Sequence, residues 1–102
     1  MINTKESDKM EYDEVIKLLK NHPLTWVEDE ESNWFGINGH YIVINGQKFD
    51  QFFGMELASV VVDFSYQTLD IRCDNAIVNG IELGGIFKIY LHDIDTLDII
   101  KD

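Results

Sequence analysis

Basic residues are scarce in this chain. Its 102 residues hold 8 lysines and arginines against 19 aspartates and glutamates, a formal net charge of −11. Such a surface repels nucleic acid and anionic lipid and attracts basic protein faces, which excludes direct nucleic-acid or membrane binding. Cysteine is scarcer still. Cys73 stands alone, which excludes an internal disulfide framework and points to a reducing, cytoplasmic setting. Long apolar runs are missing: none approaches the ~20 residues of a membrane span. The opening MINTKESDKMEYDE is polar where a signal peptide would be apolar. No glycine-rich loop sits between a strand and a helix to cradle phosphate.

Apolar residues are plentiful. They make up 45% of the chain, with six Phe, four Tyr and two Trp, enough for a core without metal or disulfide staples. Residues 1–102 read as a single acidic α+β domain, with residues 1–7 frayed. A helix is expected from about Asp8 to Asn21, with Tyr12, Val15, Ile16 and Leu19 at i, i+3, i+4, i+7 on one face. Asp8 is its candidate cap, Glu11 lies three residues on, and Pro23 follows the end. The remainder reads as β. Asn38-Gly39, Asn45-Gly46 and Asn79-Gly80 carry hairpin turn chemistry, because both central residues of a type I′ turn need positive φ.

Alternation then assigns faces to the strands. In ELASVVVDF it sets Ala58, Val60, Val62 and Phe64 on one side. In QTLDIRC it sets Leu69, Ile71 and Cys73 inward and Thr68, Asp70 and Arg72 outward. In IFKIYLHD, Phe87, Ile89 and Leu91 oppose Lys88, Tyr90 and His92. Residues 47–55 fit either a helical turn or an edge strand. The expected architecture is an N-terminal helix packed on a mainly antiparallel meander of five to seven strands.

Catalytic signatures are missing. His22, His40 and His92 share no metal-ligand spacing with one another or with Cys73. His22 suits a C-terminal helix cap, and the inward parity of Cys73 suits a buried thiol. Asp93, Asp95 and Asp98 supply oxygens suited to calcium or magnesium, but they fail the spacing of an EF-hand loop. The expectation is therefore a non-enzyme with no cofactor and no metal.

The charge is unevenly placed. Residues 1–20 hold five acids and four lysines; from residue 21 there are fourteen acids and four bases. The densest point is WVEDEESNW, where Glu28, Asp29, Glu30 and Glu31 lie between Trp26 and Trp34. In an extended strand, Glu28 and Glu30, Asp29 and Glu31, and Asp93 and Asp95 would repeat at about 6.6 Å. B-DNA carries one phosphate per ~3.4 Å of each strand, so such a comb can occupy a Lys/Arg-lined groove. The tryptophans admit two readings, indoles turned inward to fill a core or anchors at a binding surface. We read the stretch as an acidic hairpin tip on a sheet edge.

The stretch VNGIELGGIFKIYLHDIDTLDI, residues 78–99, resembles the tail of a group of small acidic type II-A anti-CRISPR proteins. There a V-N-G turn leads into an isoleucine-rich strand and a D-I-D-x-L-[DE]-I ending. The resemblance implies a helix-plus-sheet inhibitor from phage or another mobile element. It implies as partner the guide-loaded type II effector, whose PAM-reading site the inhibitor fills with carboxylates, Asp93, Asp95 and Asp98 among them. An immunity protein neutralising a basic nuclease toxin is the alternative, since both classes need a basic, phosphate-binding partner. An assembly protein would instead want a neutral face with exposed apolar strands.

Overall fold

The computed structural model describes residues 10–52, 55–79 and 81–102. The expected frayed residues 1–7 and the candidate cap Asp8 lie outside them. The first described element is the helix α1, Tyr12–Asn21. It starts later than the sequence suggests, because its N-cap is Glu11, whose backbone N–H donates to the Glu14 side chain at 3.4 Å. That is the reciprocal arm of a capping box, shifted by one turn. Val15 and Leu19 are fully buried, and Tyr12 and Ile16 pack at the margin. Each such aliphatic chain taken from water stabilises by about 1.5–3 kcal/mol. Thr25 Oγ1 closes the helix end by donating to the Leu19 carbonyl.

Nine strands follow among the described residues: β1 Trp26–Asp29, β2 Trp34–Gly36, β3 Tyr41–Ile44, β4 Gln47–Phe49, β5 Gln51–Phe52, β6 Met55–Asp63, β7 Thr68–Val78, β8 Ile81–Tyr90 and β9 Leu97–Ile100. All pairings are antiparallel. The chain is thus α+β, with one α-helix on antiparallel sheet among the described residues. The main sheet has six strands in the order β1-β2-β6-β7-β8, with β5 paired to β6; a second has the order β4-β3-β9. Of the 47–55 segment, Gln47–Phe49 and Gln51–Phe52 are short edge strands and Met55 opens β6, while residues 53 and 54 lie outside the described residues.

The two Asn-Gly turns whose residues are all described do different jobs. Asn45 (φ 53°) and Gly46 (φ 79°) form the expected hairpin between β3 and β4. Asn38 (φ 47°) and Gly39 (φ 83°) instead turn a corner, carrying the chain from β2 in one sheet to β3 in the other. At the third pair, Gly80 lies outside the described residues, and Asn79 (φ 52°) follows the end of β7.

The core lies between α1, the inner face of the main sheet and the second sheet. Phe35, Val60 and Ile71 form one cross-strand row, and Val62 and Leu69 the next. The second sheet contributes the pairs Ile42–Ile99 and Ile44–Leu97. Two expectations fail on β6. A bulge between Leu57 and Ser59 shifts the alternation, so Leu57 is fully buried in place of Ala58. Phe64 lies past the strand end, 66% exposed, and meets Tyr12 edge-on at 5.0 Å. On β7, Leu69, Ile71 and Cys73 do face inward. Thr68 and Asp70, on the opposite face, are nevertheless buried as well.

Candidate functional site

WVEDEESNW forms the β1–β2 hairpin at one edge of the main sheet, and all four β1 residues are exposed. The run is not an evenly spaced comb. A bulge between Val27 and Asp29 interrupts the alternation, and the chain turns through Glu30–Ser32 before Asn33 (φ 50°). The 6.6 Å repeat of Glu28 with Glu30 and of Asp29 with Glu31 is therefore lost.

Local bonds order the carboxylates instead. Trp26 Nε1 donates to Glu28 Oε1 at 2.6 Å. Asp29 accepts the Glu31 N–H and the Ser32 hydroxyl, both at 3.0 Å, in an Asx turn. Lys20 Nζ, on the last turn of α1, donates to Glu30 Oε1 at 2.8 Å. That hydrogen bond and the ammonium's charge hold the Glu30 carboxyl below its usual range.

Both tryptophans lie on the outer face, contrary to the core-filling reading. Trp26 is 44% exposed, and its ring crosses Gly36, the register partner of its own backbone. Trp34 is half-buried, with the Arg72 guanidinium 5.4 Å from its ring. Its indole N–H is buried without a hydrogen-bond partner. The row containing Trp34 runs through Val61 and Asp70 to Lys88. Here Asp70 accepts from Thr68 Oγ1 and from Lys88 Nζ, both at 2.8 Å. The sequence marked Asp70 only as outward; the cue to its burial was Lys88 at the same parity one strand away.

The second acidic group follows β8. Asp93 ends a 3-10 turn, Leu91–Asp93, Asp95 lies in the loop beyond, and Asp98 is on β9. Asn45 clamps this loop: its Nδ2 donates to the Asp93 carbonyl at 2.8 Å, and its Oδ1 accepts the N–H groups of Asp95 (2.7 Å) and Thr96 (3.2 Å). Asp98 Oδ1 lies 2.8 Å from His22 Nε2. His22 Nδ1 accepts the Leu24 N–H, so a neutral imidazole would place its proton on Nε2, facing Asp98. His22 occupies the expected C-cap position. The end of α1 therefore touches both acidic groups, Glu30 through Lys20 and Asp98 through His22. The sequence reading missed these two anchors because tertiary contacts make them.

A separate polar recess of about 270 Å³ lies beside the Asn38-Gly39 corner, lined by Tyr41, Asp50, Glu56 and Asp102 among others. The Asp102 carboxylate, hydrogen-bonded to the Tyr41 hydroxyl, pushes that phenol above its usual range. Among the described residues, no three His, Cys, Asp or Glu side chains are grouped to hold a metal ion, and no helix is long and apolar enough to cross a membrane. Fold and site together define an acidic α+β protein with a hydrogen-bonded, tryptophan-flanked acidic edge hairpin. No family model, no curated protein and no solved structure matches the chain.

Proposed function

We propose that this chain is a cytoplasmic inhibitor of anti-CRISPR type, carried by a phage or other mobile element. It binds a basic nucleic-acid-binding protein, the guide-loaded type II CRISPR effector, and lays its carboxylates into the site that reads duplex DNA and the PAM. One observation carries the reading: Glu28, Asp29 and Glu30 are exposed at a sheet edge yet held by Trp26, by their own turn and by Lys20. Pre-ordered charges cost a partner little ordering entropy, so ion pairs formed across the interface contribute more of their energy. Trp26, exposed beside them, supplies apolar area to anchor the contact. Asp98, which meets His22 at the same helix end, adds negative charge together with Asp93 and Asp95.

The test is capture of the effector on the immobilised chain, followed by elution with competitor duplex DNA and then with salt. Release by DNA is expected. Replacing Glu28, Asp29, Glu30 and Glu31 by Ser should weaken binding by about 3 kcal/mol, roughly 150-fold. Capture that ignores both DNA and salt would sink the reading. Capture of a nuclease toxin in place of the effector would assign the chain to the immunity proteins.

A further inference from the structure

Trp26 presents a bare aromatic face beside a carboxylate. A Cβ at position 36 would stand 2.3 Å from Cε2 of this indole and 2.5 Å from both Cζ2 and Nε1. An approach within the ring plane would come nearer to those two flanking atoms than to Cε2, so Gly36 lies against the face of the ring and not its rim. One face of the indole is therefore pressed onto β2. Trp26 is nevertheless 44% exposed, which leaves the opposite face to solvent. At the ring's edge, Nε1 donates to Glu28 Oε1 at 2.6 Å, and Glu28 is itself exposed. An ionised carboxylate has about four acceptor positions, of which the indole takes one.

Charge and shape together select what fits there. Lys20, the basic side chain that reaches the hairpin, is held by Glu30. Among the described residues, side-chain cations lie over the rings of Trp34, Tyr41 and Tyr66, and none lies over Trp26. A guanidinium is planar and carries five donors in a fork, so it can lie flat on an indole while its rim donates to a carboxylate. A lysine ammonium is a compact, strongly hydrated point charge and cannot stack in this way. The fold already uses the first arrangement once: Arg72, the single arginine of the chain, sets its guanidinium 5.4 Å from the Trp34 ring.

We propose that the open face of Trp26 and the Glu28 carboxylate form a socket for an arginine side chain of the protein partner, and that the socket selects arginine over lysine. The guanidinium stacks on the indole and donates to Glu28, and the ring keeps its place because Gly36 supports it from below. The proposal rests on the reading above in taking the acidic hairpin as the face that meets a basic protein. It adds which cation that protein offers, and at which ring.

The test compares two acetylated and amidated pentapeptides of equal charge, Gly-Arg-Gly-Arg-Gly and Gly-Lys-Gly-Lys-Gly. Each is titrated into the full chain at low salt and followed by nuclear magnetic resonance at the Trp26 indole N–H. The arginine peptide is expected to bind about two- to five-fold tighter, the factor that an exposed cation–π contact contributes. Its δ-methylene protons should shift upfield in the ring current of the indole. Trp26→Leu should abolish both the preference and the upfield shift, while leaving the charge-driven binding that the two peptides share. Gly36→Ala, which displaces the ring and keeps every charge, should do the same. Equal affinity for the parent chain, or no binding of either peptide, overturns the proposal. So does a preference that survives Trp26→Leu. No effector enters this assay, so its failure leaves the partner to the capture experiment, and a failed capture leaves the socket standing.

Discussion

Replacing Gly36 by Ala tests whether the Trp26 ring truly lies across the sheet. A Cβ at position 36 would stand 2.5 Å from Cζ2 and Nε1 of that indole, closer than any real Cβ contact, so the ring must leave. With 44% of its surface exposed, Trp26 keeps a little over half of a side chain's ~250 Å² out of water. Losing all of that, about 140 Å² at ~25 cal/mol/Å², would cost ~3.5 kcal/mol, an upper bound because the displaced ring finds other contacts. A loss of about 1.5–3 kcal/mol in urea unfolding is expected, with indole fluorescence more open to iodide quenching. Gly39→Ala is the control. Its φ of +83° makes any side chain strained, but nothing lies within 4 Å of the added atom. It should cost about 1–2 kcal/mol and leave the quenching unchanged. If Gly36→Ala unfolds and quenches like the parent chain, the placement of Trp26 is wrong, and with it the rigid anchor beside Glu28.

Two further outcomes follow from the same geometry. Asn45→Ala removes three hydrogen bonds to the Asp93–Thr96 loop and strains a residue at φ 53°, so a loss of about 2–4 kcal/mol is expected in urea unfolding. Asn45→Gly keeps the turn and should recover the conformational part only. The second outcome concerns alkaline pH. The hydrogen bond to Asp70, opposed by desolvation and aided by attraction to Asp70 and Asp63, holds the Lys88 ammonium above its ordinary value near 10.5. Folding therefore favours the protonated form. The resulting stability is fully present below that ordinary value and is lost as pH rises through the raised one. Lys88→Met should be less stable than the parent at pH 7, because it leaves the buried Asp70 carboxylate short of a partner, and the gap should narrow as pH rises through the raised Lys88 value. A gap that stays constant across that range would refute the assignment.

Sequence periodicity revealed most of the interior. Val15 and Leu19 on α1, and Leu69, Ile71 and Cys73 on β7, were legible because α1 keeps its period throughout and β7 keeps its own as far as Cys73, where a bulge begins. On β6 one extra residue at the bulge shifts the period, so Leu57 took the inward place assigned to Ala58. The division into two sheets was hidden for another reason. Asn38-Gly39 and Asn45-Gly46 have the same turn chemistry, and only the partners available in three dimensions make one a corner and the other a hairpin. At the candidate site, the turn and edge character of WVEDEESNW were legible from composition. The bulge that breaks its carboxylate spacing was not, nor were Lys20 and His22, which reach it and Asp98 from a helix. Asp70 shows the remaining limit: alternation gives the face of a residue but not what covers that face.

The pairing of β3 with β9 also bears on how fast the chain can fold. It joins Tyr41 to Ile100 and Ile42 to Ile99, so more than half the chain must be looped back before the second sheet exists. Such non-local topologies form in milliseconds to seconds, slower than helical bundles, because loop closure is unfavourable until the distant contacts form. In that interval the isoleucines of β3 lack their cover and its edge is open, the condition under which partly folded chains aggregate. The negative charge that the finished protein carries from residue 21 onward is already present then. It keeps unfinished copies apart during the slowest step, before there is any surface for a partner to meet.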